Sequence, residues 1–240
     1  MDVTKFTRPA RKLLKLQYCG AVIVAAGSAS RMGGIDKVMA PLGGAPMVVR
    51  TVRQFQHCDA IREIVIVTRE DLIVPVMDLC HGFDKVRAVV VGGSSRQESV
   101  HLGLNALSED VELAAIQDGA RPLITEEVIE RVIRAADHFG AAIPAVPVKD
   151  TIKVAPAGLV QSTPDRKSLQ AVQTPQVFEF DLLRAAMKHA SETGAEVTDD
   201  SSAVELLGMT VKVVEGDERN IKVTTPMDLA IVRLLAEDKA

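Results

Sequence analysis

No apolar run in the 240 residues approaches the roughly 20 that a membrane-spanning helix needs, so an integral membrane protein is not expected. The first 18 residues, MDVTKFTRPARKLLKLQY, are basic but lack the apolar core and small-residue cleavage site of a secretory signal. They also lack serine, against the composition of a transit peptide, and read as a basic, solvated N-terminal extension. The cysteines, Cys19, Cys58 and Cys80, form no CxxC pair and no even framework, so a reducing cytoplasm is expected. His57-Cys58 and Cys80-His81 offer four zinc-type ligands. Adjacent residues rarely converge on one tetrahedral ion, and buried thiols beside helix-end histidines account for them better. Positive charge is not in excess either: the net charge of −4 argues against non-specific nucleic-acid binding. An anionic substrate must then be held by a few placed cations.

What is present is the composition of one globular domain, 47% hydrophobic and 25% charged, read as residues 19–240. Short β-branched runs at 21–24, 64–68, 86–91, 113–117, 141–146 and 211–214 read as strands buried on both faces. Helical patterns lie between them at 46–55, 98–107 and 126–139, the last with Thr125 as N-cap and Gly140 as C-cap. Thr225-Pro226-Met227-Asp228 opens a final helix with a cap, proline at the first position and an acid at the third. This alternation predicts an α/β, Rossmann-like fold, a mainly parallel sheet with helices on both faces. From 147 to 176 the rhythm breaks, with extended pieces punctuated by Pro156, Gly158, Pro164 and Pro175. A structureless loop of that length is unexpected in a compact domain, so the stretch reads as a projecting β-hairpin arm, suited to pairing with a second subunit.

The first strand runs into Ala25-Ala26-Gly27-Ser28-Ala29-Ser30-Arg31-Met32-Gly33-Gly34-Ile35-Asp36-Lys37. Small residues let backbone N–H groups approach phosphate oxygens, and the loop after a first strand opens where α/β sheets bind ligands. Arg31 and Lys37 add the charge. A dinucleotide fingerprint would need glycine at Ala29, and no GxxxxGK[ST] occurs. On its own this loop is equally a tight turn with two solvated cations.

The phrase AAGSASRMGG-DK followed by PLGGAPM resembles the signature of the nucleotidyltransferase superfamily. Further phrases follow in order: Gly92-Gly93 with Arg96-Gln97-Glu98-Ser99-Val100, then Asp118-Gly119-Ala120-Arg121-Pro122, and Val148-Lys149-Asp150-Thr151-Ile152-Lys153. Thr174-Pro175-Gln176, Thr198-Asp199-Asp200 and Asn220-Ile221-Lys222-Val223-Thr224 complete the set. Together they are similar to the 2-C-methyl-D-erythritol 4-phosphate cytidylyltransferase family of the non-mevalonate isoprenoid pathway. The resemblance implies that Arg31 and Lys37 hold the CTP phosphates and stabilise the transition state. Ala25, Ala26, Gly27, Ser28 and Gly119 would line the nucleotide. Gly93 and Ser99 would read the cytosine, through backbone groups and a hydroxyl, and Asp118 would face the ribose and metal. Thr151, Arg166 and Thr198 would contact the methylerythritol phosphate, and Lys222 would align its phosphate. Arg166 would reach the neighbouring subunit's site from the arm, in a homodimer. Mg²⁺ is the implied cofactor, carried mainly by the CTP phosphates with Asp118 as a weak ligand.

The chemistry suits these residue types. A phosphate monoester, with a second pKa near 6, is already largely ionised at neutral pH and needs no general base. The barrier is anion meeting anion, which fixed cations lower. Each residue also has a plainer reading: Asp118 as a strand-end cap, Thr198-Asp199-Asp200 as the cap of a helix at 201–207, Arg121 as a brace for the loop after Asp118, Lys222 as an exposed strand-end lysine. The chain departs from the common pattern as well. The 31–37 loop is one residue short, Asp36 stands where proline usually precedes the lysine, and its charge opposes that of Lys37. Ala29, Gln117 and Ser94 replace a glycine, a histidine and an aspartate. Two other readings share the nucleotide half: a cytidylyltransferase for another polyol phosphate such as ribitol 5-phosphate, and a non-catalytic nucleotide-binding regulator.

Overall fold

The computed structural model describes residues 18–27, 36 and 38–237. In chain order the elements are β1 (Cys19–Val24), β2 (Pro41–Leu42), β3 (Ala45–Pro46), α1 (Met47–His57), β4 (Ile61–Thr68), α2 (Ile73–Cys80), β5 (Val86–Val91) and α3 (Arg96–Asn105). They continue with β6 (Leu113–Asp118), α4 (Glu126–Phe139), β7 (Ala141–Pro147), β8 (Gln170–Val172), β9 (Gln176–Glu179), α5 (Phe180–Thr193), α6 (Asp200–Leu206), β10 (Lys212–Glu215) and α7 (Pro226–Glu237). The main sheet has the order β10-β7-β9-β6-β1-β4-β5, with β8 paired to β7. β1, β4, β5 and β6 are parallel neighbours, as are β7 and β10.

Strand residues alternate between two cores, as a doubly covered sheet demands. Ala21 and Ile23, Ile64 and Ile66, Leu113 and Ala115 pack with α1, α2 and α4. Val22, Val65 and Val67, Ala114 and Ile116 pack on the other side with α3, α5 and α6. Each fully buried Val, Leu or Ile side chain among these contributes about 1.5–3 kcal/mol. α7 closes a third, smaller cluster with Leu42, Met47 and Val223. Its start is a reciprocal cap: Asp228 N–H donates to Thr225 Oγ1 at 3.2 Å, and Thr225 N–H donates to the Asp228 carboxylate at 2.8 Å. Gly140 ends α4 at φ 82°, whereas Thr125 occupies the cap position without a side-chain bond. The three cysteines are buried and free. The described residues bring no zinc-type set of His57, Cys58, Cys80 and His81 together.

The structure corrects the reading of 147–176 at its far end. β8 pairs back on β7 from Gln170 to Val172, and an antiparallel bridge joins Val154 to Ser162. Gln173, Thr174 and Gln176, however, are buried. Gln176 opens β9, which lies antiparallel between β6 and β7. The returning chain must re-enter the sheet, so these polar residues belong to the domain and not to an arm. The N-terminal boundary also moves: the Tyr18 carbonyl accepts from the N–H groups of Glu112 and Leu113, which makes Tyr18 the lead-in to β1.

Candidate active site

The carboxyl ends of the central strands are tied together by their backbones. Ala25 N–H donates to Val67 O at 2.7 Å, Gly92 N–H to Thr68 O at 2.8 Å, and Gly119 N–H to Val24 O at 2.8 Å. These bonds bring the loop after β1 against the loops after β5 and β6. A Cβ on Gly92 would stand 2.3 Å from Ala26 Cβ, and one on Gly119 would stand 3.0 Å from Ala25 Cβ. The small residues at 25, 26, 92 and 119 therefore serve close loop packing first, whatever ligand lies above them.

Asp118, at the end of β6, is the centre of a charge cluster. Lys222 Nζ lies 2.9 Å from its carboxylate, Arg121 Nε 3.4 Å and Arg96 Nε 3.6 Å. Burial works to raise the Asp118 carboxyl, but Lys222, Arg96 and Arg121 overcome it and hold the carboxyl below the usual carboxylate range. Its backbone N–H is fixed by Thr174 Oγ1 at 3.1 Å. Arg121 also donates to Asn220 O at 2.7 Å, and Asn220 in turn donates to Thr174 O at 2.9 Å. Arg121 thus ties the loop after β6 to the segment carrying Lys222, the bracing role weighed from sequence. Arg96, the first residue of α3, donates to both oxygens of Asp200, at 2.9 and 2.7 Å. Burial would weaken the Arg96 charge, yet Asp200, with Asp118 and Asp199 behind it, holds the guanidinium charged above its ordinary range.

The sequence-predicted residues divide into three groups. Asp118 and Lys222 meet directly, Gly119 packs on Ala25, and Gly93 N–H donates to Ser99 Oγ at 3.1 Å. Thr151 and Arg166 lie on the exposed segment between β7 and β8, where Arg166 donates to Lys149 O at 2.7 Å. Thr198 is exposed just before Asp199, whose side chain caps α6 and accepts from Ser202 N–H at 2.9 Å. Among the described residues no hydrogen bond or ion pair ties Thr151, Arg166 or Thr198 to the Asp118 cluster. Arg31, Lys37 and Ser28 lie outside the described residues. Gly27, exposed after β1, meets nothing among the described residues where a side chain would point.

Two expectations change, and Ser99 gains a structural role: its buried hydroxyl donates to Ser95 O at 2.9 Å while accepting from Gly93, so it shapes the turn. Asp36 does not stand unopposed beside Lys37: one carboxylate oxygen pairs with Arg69, and the other accepts from Val38 N–H at 3.0 Å and Met39 N–H at 3.4 Å. Asp118 fits poorly as a metal ligand, because both its oxygens face cations, and Asp200 is closed off by Arg96. The one group of potential ligands close enough to share an ion among the described residues, Cys58 with Glu126 and Glu130, involves no residue of this cluster. Sequence reasoning missed the roles of Arg96 and Asp200. A cation at a helix N-terminus opposes the helix dipole, and that local mismatch was the available signal.

Compared with known proteins, the chain matches over residues 19–237 the family model described as 2-C-methyl-D-erythritol 4-phosphate cytidylyltransferase. It is 45% identical over 221 residues to the protein of that name from Symbiobacterium thermophilum, covering 91% of this chain and 93% of that one. Against the one from Alkaliphilus oremlandii it is 44% identical over 216 residues, covering 88% and 91%. The crystal structure of 4-diphosphocytidyl-2C-methyl-D-erythritol synthase from Anaerococcus prevotii superposes with a TM-score of 0.84 at 32% identity, covering 93% of this chain and 100% of that one. The Francisella tularensis 2-C-methyl-D-erythritol 4-phosphate cytidylyltransferase gives a TM-score of 0.77 at 28% identity, covering 90% and 99%. No helix among the described residues is long and apolar enough to cross a membrane.

Proposed function

Because the chain belongs to the 2-C-methyl-D-erythritol 4-phosphate cytidylyltransferase family, we propose that it transfers the cytidylyl group of CTP to 2-C-methyl-D-erythritol 4-phosphate. One observation carries the chemistry: three cations, Arg96, Arg121 and Lys222, converge on Asp118 at the carboxyl end of β6. Among the described residues no histidine bonds to this cluster, and the reaction asks for none. An oxygen of the substrate phosphate attacks the α-phosphorus of CTP, the bond to the β-phosphate breaks, and pyrophosphate leaves with that electron pair. The attacking phosphate arrives ionised, so the protein's task is to hold two polyanions in line and offset their repulsion.

Lys222 is the cation we assign to the attacking phosphate, since its side chain is the most exposed of the three, at 40% against 31% for Arg96 and 11% for Arg121. Asp118, buried and ionised, gathers the three cations and offers an acceptor to a ribose or polyol hydroxyl. Arg31 and Lys37 are assigned to the triphosphate, and Ala25, Ala26, Gly27, Ser28, Gly93 and Gly119 to the backbone around the nucleotide. Magnesium enters as the counter-ion of CTP, as part of the substrate, because the Asp118 and Asp200 carboxylates are already engaged. Thr151 and Thr198 are assigned to the polyol phosphate. A reducing cytoplasm suits the three free thiols.

The test is pyrophosphate release with Mg²⁺ and CTP, offered 2-C-methyl-D-erythritol 4-phosphate and ribitol 5-phosphate separately. Turnover with the first supports the assignment; turnover only with ribitol 5-phosphate overturns it, and CTP binding without turnover points to a regulator. We assign the exposed segment between β7 and β8 to a homodimer contact that delivers Arg166 to the partner's site. Its tip leaves Leu159 77% and Val160 64% exposed. Replacing both with aspartate is expected to convert a dimer to a monomer in sedimentation velocity and to reduce turnover with it. A wild-type monomer at assay concentration removes the assignment.

A further inference from the structure

The loop after β1 is tied at both ends to the carboxyl end of β4 and the residue that follows it. At its start Ala25 N–H donates to Val67 O at 2.7 Å. At its exit the Asp36 carboxylate pairs with Arg69. Arg69 is aimed from its other side by Asp71, whose two carboxylate oxygens accept from Nε and Nη2, each at 3.1 Å. The second oxygen of Asp36 accepts from Val38 N–H at 3.0 Å and Met39 N–H at 3.4 Å. Val38 is buried, and its carbonyl accepts from Val48 N–H at 3.0 Å in the first turn of α1. In sequence Lys37 stands between Asp36 and Val38, so both of its neighbours are fixed, one by an ion pair beside β4 and the other by the core and α1.

An ion pair whose side chains are 29% and 30% exposed contributes little to stability. Its effect here is local: it restricts where residue 36 can stand, and it cancels a negative charge next to Lys37. A proline at this position restricts the same backbone through its ring. Asp36 has no ring, so its side-chain bonds must do that work. A lysine head group rides on a flexible four-carbon stem, so its placement depends on where its backbone is held. We propose that Arg69 is a positioning residue for the reaction: through Asp36 it fixes the exit of the first loop and leaves Lys37 to meet the CTP phosphates. This rests on assigning Lys37 to the triphosphate. Arg69 itself touches no reacting atom.

The experiment measures kcat/KM for CTP, with Mg²⁺ and saturating 2-C-methyl-D-erythritol 4-phosphate, in the wild type, Arg69→Ala, Lys37→Ala and the double variant of the two. A fifth enzyme combines Arg69→Ala with Asp36→Pro. Arg69→Ala is expected to lower kcat/KM for CTP by about 10- to 100-fold, the cost of misplacing a positioned group, while the KM for the polyol phosphate stays unchanged. Its Tm should move by no more than about 4 °C, as suits a part-exposed ion pair. Adding Arg69→Ala to Lys37→Ala should cost nothing more, and adding Asp36→Pro to Arg69→Ala should recover most of the loss. An equal loss in the Lys37→Ala background overturns the proposal, because Arg69 then acts by another route. So does an Arg69→Ala enzyme that matches the wild type, that gains nothing from Asp36→Pro, or that loses activity only by unfolding. A wild type that turns over no CTP with this polyol phosphate, or a Lys37→Ala enzyme that keeps full activity, fails at the proposed function and takes this inference with it.

Discussion

Lys222→Ala is expected to lower kcat by about 100- to 1,000-fold, the range measured for removing one fixed group that stabilises transition-state charge. Lys222 Nζ sits 2.9 Å from Asp118, yet the lysine side chain remains 40% exposed, so it can exchange that contact for a substrate phosphate without leaving the cluster. Arg121 lacks this freedom, since it also donates to Asn220 O at 2.7 Å. Because Lys222 is assigned to the attacking phosphate, the KM for CTP should change much less than kcat. Steady-state pyrophosphate release with each substrate varied in turn separates the two. A loss below tenfold would make Lys222 merely a counter-ion of Asp118.

The same substitution carries a pH signature. The folded Asp118 carboxyl lies below its unfolded value, so its contribution to stability is present above the ordinary carboxylate pKa and is lost as pH falls through the depressed one. Burial pushes that carboxyl up, and Lys222 heads the groups that pull it down. Removing Lys222 therefore shifts the acid limb of the stability profile toward higher pH. Arg96 and Arg121 remain, so the shift is partial. The lysine's exposure also means that salt screens part of the effect.

The strands were legible where two-faced burial imposed a pattern: the β-branched runs at β1, β4, β6 and β7 and the apolar stripe of α4 all stand where sequence put them. β9 was not, because Gln176–Glu179 is only four residues, too short to display a period. Its antiparallel insertion between β6 and β7 depends on contacts distant in sequence. In the site, Asp118 and Lys222 were found as separate residues, but their contact spans 104 positions, and so does that of Arg96 with Asp200. No local spacing encodes either pairing. The small residues of the first loop were read as room for phosphate. Their contacts with Gly92 and Gly119 show that loop packing asks for the same residue types, which is why such a loop alone cannot name a ligand.

Asp200→Asn should be the costliest single change to stability in the site. The Asp200 carboxylate has no solvent exposure and takes two bonds from Arg96, at 2.9 and 2.7 Å. An amide there removes the negative charge and turns an N–H₂ toward the guanidinium, leaving Arg96 with Asp118 at 3.6 Å as its remaining close partner. Breaking a buried pair from one side costs about 3–5 kcal/mol, and the lower end applies because Arg96 itself is only half-buried. For a chain of this size that is a fall in Tm of about 6–12 °C. Arg96 also begins α3, where the helix dipole disfavours a cation, so nothing local replaces the lost charge. The pair variant Arg96→Met with Asp200→Val tests the cause, since replacing both partners by apolar groups of similar volume is often neutral or stabilising. It should recover most of the Tm yet stay slow, because Asp118 would have lost one of its three cations. If the pair variant melts as low as Asp200→Asn, the instability comes from disturbed packing around α6 and not from the unpaired charge. If it also regains turnover, Arg96 supports the fold but not the site.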